Sequence, residues 1–155
     1  MELELLADNK KAIPIIANWY FEEWGHLKEG NTLAKFTESL GDYLNADKIP
    51  LIVLALEAGE VLGVAQLKYR EMDIYPEKEH WLGGVYVAKT HRGKKIAEKV
   101  IGELVLIAQK LGVQTLHLQT QHPSGGQYTR LGWKPIEKVN YHGVDVLVME
   151  KNLGV

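Results

Sequence analysis

Trp81-Leu82-Gly83-Gly84-Val85-Tyr86-Val87 runs through Ala88-Lys89-Thr90 into His91-Arg92-Gly93-Lys94-Lys95-Ile96-Ala97, and the reading of this stretch decides the fold. The first seven residues have the apolar and aromatic content of a strand, yet two adjacent glycines pair poorly in a regular ladder. They signal a bulge or the close approach of a ligand. From Ile96 onward Val100, Leu104, Ile107 and Leu111 recur at helical spacing, and Gly112 is a natural stop. A glycine loop between a strand and a helix gathers backbone N–H groups at the helix N-terminus, where the dipole favours an anion. Arg92, Lys94 and Lys95 add side-chain charge, so a phosphate or pyrophosphate is the natural ligand. Solvated cations at the start of a helix are the competing reading. The dinucleotide glycine pattern and the Walker lysine pattern are both absent.

Working outward, Val113 to Thr120 reads as a strand; because it follows a helix that follows a strand, a right-handed parallel crossover is expected. Pro123-Ser124-Gly125-Gly126 opens a short helix through Leu131, closed by Gly132, and Trp133 to Asn140 with Val144 to Glu150 form a terminal hairpin around His142-Gly143. Upstream, Leu51 to Leu56 and Val61 to Tyr69 flank the turn Ala58-Gly59-Glu60 as two antiparallel strands. Before them, Thr32 starts a helix with Leu33, Phe36, Leu40, Tyr43 and Leu44 on one face, and Ile13, Ile16, Trp19 and Tyr20 mark an earlier one. Glu22 to Asn31 reads as a loop, and Glu2 to Leu6 as a short strand followed by a cap at Asp8 or Asn9. The order is β-α-α-β-β-β-α-β-α-β-β. It predicts a mixed α/β fold around a mostly antiparallel sheet with one parallel strand pair.

The 155 residues suit a single domain over the whole chain, and 46% hydrophobic with 25% charged residues is the composition of a globular protein. A net charge of −2 leaves no basic field for nucleic acid. No apolar run approaches the roughly 20 residues of a membrane span, and the acidic start Met1-Glu2-Leu3-Glu4 is unlike a secretion signal. With no cysteine, disulfides, thiolate metal sites and a cysteine nucleophile are excluded, in keeping with a cytoplasmic protein. No His or carboxylate pair has firm metal spacing, and Ser124 lacks a nucleophile elbow. His117, alternating with Leu116 and Leu118, is expected on the opposite strand face.

Val85 to Ala97 resembles the central motif of the GNAT superfamily of N-acetyltransferases. The family loop is usually Arg or Gln, two variable residues, Gly, one variable residue, then Gly or Ala. Arg92 and Ala97 match its ends, and Lys95 stands where glycine is usual. Tyr128-Thr129-Arg130-Leu131-Gly132-Trp133 resembles the family's second motif, and Tyr141-His142-Gly143 with Met149-Glu150-Lys151 its ending, so the resemblance spans nearly the whole chain. It implies a GNAT-like fold whose fourth and fifth strands splay around the pantetheine arm of acetyl-coenzyme A (acetyl-CoA). Val85, Tyr86 and Val87 would then meet that arm through main-chain atoms. Arg92, Gly93, Lys94, Lys95, Ile96 and Ala97 would hold the pyrophosphate, and no metal is implied.

The implied chemistry is direct attack of a primary amine on the thioester, with Tyr128 as general acid toward the departing thiolate. The base is open: the strand glutamate of some members aligns with Gly83, Glu79 and His80 are the nearest candidates, and a water relay is an alternative. Glu22, Glu23, Glu71, Asp73, Glu77 and Glu79 fall in segments that border the acceptor in the family. The acceptor would be a small-molecule or peptide primary amine, with neither nucleic acid nor membrane as partner, and a homodimer is compatible with this reading. A non-catalytic acyl-CoA sensor is the main alternative. A third reading, an interaction module, would need the aromatic segment Trp19 to Trp24 to be exposed.

Overall fold

The computed structural model describes residues 1–154. Seven strands form one sheet in the order β1-β2-β3-β4-β5-β7-β6. They are β1 (Glu2–Leu5), β2 (Leu51–Glu57), β3 (Glu60–Tyr69), β4 (His80–Val87), β5 (Thr115–Thr120), β6 (Lys134–Tyr141) and β7 (Val144–Asn152). The helices are α1 (Ile13–Trp24), α2 (Leu33–Leu40), α3 (Ile96–Lys110) and α4 (Gln127–Arg130). Every strand pair is antiparallel except β4 with β5. The β-α-α-β-β-β-α-β-α-β-β order and the mixed sheet with its parallel pair therefore stand as the sequence predicts.

Each face of the sheet buries a different set of helices. Ile96, Val100, Ile101, Leu104 and Ala108 of α3 pack on one face against Leu51, Val53, Leu67 and Leu82. On the other face α1 and α2 pack Ile16, Ala17, Tyr20 and Leu40 against Ile52, Leu54 and Val64. A third cluster, Met72, Tyr75, Trp81, Val146 and Val148, lies beneath the β3–β4 loop. Side chains alternate along the strands, so one apolar run such as Leu51–Leu56 fills both cores, and all six residues are buried.

Local details depart from expectation in four places. Neither Asp8 nor Asn9 caps α1; two short 3-10 turns intervene, and the Asn9 amide donates to Glu4 Oε2 at 3.3 Å instead. The helix runs on to Trp24 because that ring packs against Tyr20 and Tyr86, at centroid distances of 5.3 and 6.4 Å. Leu33 is exposed, which narrows the apolar stripe of α2 to its later residues. Leu111 is exposed too, since it lies just past α3, where Gly112 at φ +85° turns the chain away. Gly112 N–H donates to Gln109 O and Val113 N–H to Ala108 O, the bond pair of a Schellman stop. Thr32 caps α2 as expected, its Oγ1 accepting from Lys35 N–H at 3.1 Å. Among the described residues, no helix is long and apolar enough to cross a membrane.

Candidate active site

The site begins with the glycine pair on β4. The β3–β4 register slips between the Val64↔Tyr86 and Gln66↔Gly83 pairs, so β4 carries one extra residue there. The bulge turns Gly83 and Gly84 toward the same face, that of α1 and α2. A Cβ on Gly83 would meet Glu71 Oε1 at 2.8 Å, and one on Gly84 would meet the Gln66 side chain at 2.6 Å and Tyr20 Oη at 2.7 Å. Gly84 also has φ +55°, which larger residues rarely adopt. Tyr20 donates to the released Gly84 carbonyl at 2.7 Å. Burial pushes the Tyr20 phenol well above its ordinary pKa, opposed by a hydrogen bond with Gln66 and aided by the charges of Tyr43 and Glu71.

Beyond the bulge the two parallel strands separate. Only Trp81↔His117 pairs β4 with β5, whereas β5 pairs with β7 from Thr115 to Thr120. The gap opens into a cleft of ≈ 600 Å³ lined by Val85, Tyr86 and Val87 of β4, the loop before α3, Trp24 of α1, and Gln127 and Arg130 of α4. Arg92, Gly93, Lys95, Ile96 and Ala97 all line this cleft, and Lys94 is exposed outside the lining. Of the nine residues that the resemblance assigns to the cofactor, the structure thus gathers all but Lys94 around one cleft.

The loop at its mouth has the conformation of an anion cradle. Gly93 has φ +83°, and Lys95, the residue before α3, is left-handed at φ 62° and ψ 24°. That is the conformation for which glycine is the default residue. Among the described residues, no side chain caps α3, and no backbone carbonyl accepts from the N–H of Gly93, Lys94 or Lys95. Successive free amides at the start of a 15-residue helix form a concave, positively polarised surface. Arg92 is held beside it, with Nε donating to Val87 O at 3.1 Å and the guanidinium 5.3 Å from the Tyr86 ring centre.

Tyr128 projects from α4, half-buried against the α3-side core, its ring edge-on to Trp133 at 6.2 Å. Burial, aided by the charge of Glu71, raises its phenol to about 12. His80 and Glu79 sit at the opposite end of β4. His80 Nε2 lies 3.0 Å from Glu79 Oε1, and Glu79 also pairs with Arg70 at 2.9 Å. Val85 lies five positions beyond His80, about 17 Å of strand. His117 is buried on the face away from Leu116 and Leu118, 5.5 Å from Trp81, and the same burial pulls its pKa down.

The acidic residues singled out in the sequence divide sharply. Asp73 accepts from Tyr141 Oη at 3.0 Å, Tyr75 Oη donates to Glu137, and Trp81 Nε1 donates to Lys78 O at 2.7 Å, so the β3–β4 loop is tied onto the C-terminal hairpin and β4. Glu77 pairs with Lys78 at 3.7 Å, and Asn18 donates to Glu22 at 3.2 Å. Glu23 lines the cleft. Glu71 alone turns inward from that loop, over Gly83, with Lys68 Nζ 3.6 Å away. Its position could not be read from the sequence, where it is one acid among several; the only signal was the missing side chain at Gly83. The aromatic segment of α1 faces inward: Tyr20 is buried, and Trp19 and Trp24 pack on the second core.

Comparison with known proteins agrees with this geometry. Residues 9–133 match the family model described as Acetyltransferase (GNAT) family. No curated protein matches the chain. Among solved structures, a ribosomal-protein-alanine N-acetyltransferase from Brucella melitensis superposes with a TM-score of 0.79 at 18% identity, covering 98% of this chain and 99% of that one. An aminoglycoside 6'-N-acetyltransferase complexed with coenzyme A gives 0.78 at 16% identity, covering 99% and 97%. An N-acetyltransferase from Staphylococcus aureus Mu50 gives 0.77 at 19%, covering 99% of each chain. At these identities the likeness is one of fold.

Proposed function

Because the chain belongs to the GNAT acetyltransferase family, we propose that it transfers the acetyl group of acetyl-CoA to a primary amine by direct attack on the thioester. The observation that carries this reading is the split between β4 and β5, which leads from the bulge at Gly84 to the free amides before α3. A thioester arm laid in the split would find backbone groups at Val85 and Val87 that make no ladder with β5, the Val87 carbonyl being shared with Arg92 Nε, and its pyrophosphate would meet the Gly93–Ala97 cradle. Arg92 and Lys95 would add charge-assisted contacts. A backbone N–H near Val85 is suited to stabilise the oxyanion of the tetrahedral intermediate.

In this mechanism Tyr128 faces the departing sulfur. A phenol at about 12 keeps its proton at neutral pH, so the donor is present in nearly every molecule. A thiol titrates near roughly 8.5, well below that phenol, so the hydrogen stays closer to oxygen. Tyr128 then acts first as a hydrogen-bond donor to the developing thiolate, and the sulfur is protonated as it leaves. His80 and Glu79, if they serve the amine, would do so through a chain of water. The reading places the enzyme in the cytoplasm, since a chain without cysteine has no need of an oxidising compartment.

The test is calorimetry with acetyl-CoA, followed by thiol release over several classes of primary amine. Binding together with turnover of at least one class is expected. Binding with no turnover anywhere would favour the acyl-CoA sensor, and no binding at millimolar acetyl-CoA would sink both readings.

A further inference from the structure

We infer that Tyr75 and Tyr141, with their carboxylate partners Glu137 and Asp73, are positioning residues: they hold the two halves of the sheet, β1 to β4 and β5 to β7, at the angle that sets Tyr128 opposite the main chain of Val85. The assignment rests on the acetyltransferase reading above. Three observations on this chain lead to it.

The first is where the two donors stand. Val85 belongs to β4, whereas Tyr128 belongs to α4, which follows β5 and leads into β6. The carbonyl oxygen and the sulfur of a thioester share one carbon, so the donors to them must keep a fixed relation. Yet the strands beneath them share a single register pair, Trp81↔His117. Val85 lies four positions beyond Trp81, about 13 Å of strand, so a turn of about 5° at that pair shifts it by about 1 Å. Misplacement on that scale costs about 10²-fold in rate.

The second is a set of polar ties across the same division. The β3–β4 loop supplies the acceptor Asp73 and the donor Tyr75, and β6 supplies the donor Tyr141 and the acceptor Glu137. Tyr141 Oη donates to Asp73 Oδ1 at 3.0 Å and accepts from Asp73 N–H at 3.3 Å, while Tyr75 Oη donates to Glu137. The two phenols thus donate in opposite senses across the joint. Hydrogen bonds to carboxylates are strong and directional, whereas the apolar core under α3, built from residues of both halves, has no directional preference. That core holds the halves together, and the ties set their angle.

The third is that the ties stand on the joint itself. Tyr75 is buried with Met72 and Trp81 against Val146 and Val148 of β7. The Tyr75 ring lies 6.4 Å from that of Trp81, which lies 5.5 Å from His117. The neck of the loop is closed by Arg70 N–H donating to Glu79 O at 2.8 Å and by the Arg70–Glu79 ion pair at 2.9 Å. A pull on Asp73 or Tyr75 is therefore passed to the adjoining ends of β3 and β4. All four residues lie outside the lining of the cofactor cleft, so they act through Val85 and Tyr128.

The experiment uses the full chain with spermidine, L-lysine, a tripeptide with a free N-terminus and kanamycin as probe amines. For the probe that turns over best, the double variant Tyr75→Phe with Tyr141→Phe keeps both rings and loses both donors. Its kcat is expected to fall about tenfold or more, with the dissociation constant for acetyl-CoA within about threefold of the parent value, because Val85 to Val87 and the Gly93–Ala97 cradle lie on one half. Asp73→Asn with Glu137→Gln keeps an acceptor oxygen at each tie and should hold kcat within about threefold, whereas Asp73→Ala with Glu137→Ala should repeat the loss. Adding Tyr128→Phe to the double phenylalanine variant should cost only about tenfold, against about 10²-fold in the parent, since a donor already displaced has less to lose. Parent-like kcat in the double phenylalanine variant would overturn the assignment. So would a Tyr128→Phe cost that is the same in both backgrounds, or an equal loss of kcat in Gly112→Ala, which lowers stability away from the joint. A parent protein that binds no acetyl-CoA or acetylates none of the probes would instead overturn the acetyltransferase reading, and this role with it.

Discussion

Tyr128 and Lys95 are the residues whose identity matters most to the proposed chemistry, and each gives a sharp expectation. Tyr128→Phe removes the donor to sulfur but leaves the cleft walls in place. Turnover should fall about 10²-fold with acetyl-CoA affinity nearly unchanged, as read by steady-state kinetics beside calorimetry. Lys95 occupies the left-handed region at a strain of about 1–2 kcal/mol relative to glycine. Lys95→Gly should therefore raise the urea midpoint, whereas Lys95→Ala should not. If the ammonium contacts the pyrophosphate, both variants lose acetyl-CoA affinity by about tenfold, and tighter binding by Lys95→Ala would show that the side chain obstructs the cradle. The place of Tyr128 on a short helix was readable in the sequence because its motif is local. The inward turn of Glu71 over Gly83 was not, because it depends on an absent Cβ twelve residues away, and sequence does not display such a coincidence. Nor does a lysine by itself announce φ 62°.

At the scale of elements, β4 does two incompatible things and the bulge separates them. From His80 to Gly83 the strand pairs with β3 and, at Trp81, with β5; from Tyr86 it regains β3 and leaves β5. The paired glycines made an interruption legible in advance, and the crossover through α3 made the parallel neighbour legible as well. The depth of the split was not, since it depends on how β5 satisfies itself against β7. Two glycines of similar torsion test the difference between a stop and a site. Gly112→Ala, with open space around its Cβ, should cost about 1–2 kcal/mol in urea unfolding. Gly84→Ala adds collisions with Gln66 and the Tyr20 hydroxyl at 2.6–2.7 Å, so about twice that cost is expected, with weakened acetyl-CoA binding.

For the whole molecule, stability is coupled to both ligand and pH. Acetyl-CoA at a hundred times its dissociation constant should add about 2.7 kcal/mol, which for a domain of this size raises the Tm by roughly 5–10 °C in a thermal scan. At high pH the buried phenols act. Burial raises Tyr20 and Tyr128 above the ordinary tyrosine value, so their contribution is complete below about pH 10 and is lost as pH climbs toward and past 12. The urea midpoint should fall across that range, and Tyr128→Phe should flatten the fall by on the order of 2–3 kcal/mol. The single register pair between β4 and β5 has one more consequence. The four strands β1 to β4 and the three strands β5 to β7 are two leaves whose shared ladder is broken by design. A ligand lying in the break would serve as a surrogate strand, and amides of β4 beyond Trp81 that exchange quickly with deuterium in the free protein should become protected when it binds. Acetyl-CoA would then be, for as long as it stays, an eighth member of the sheet.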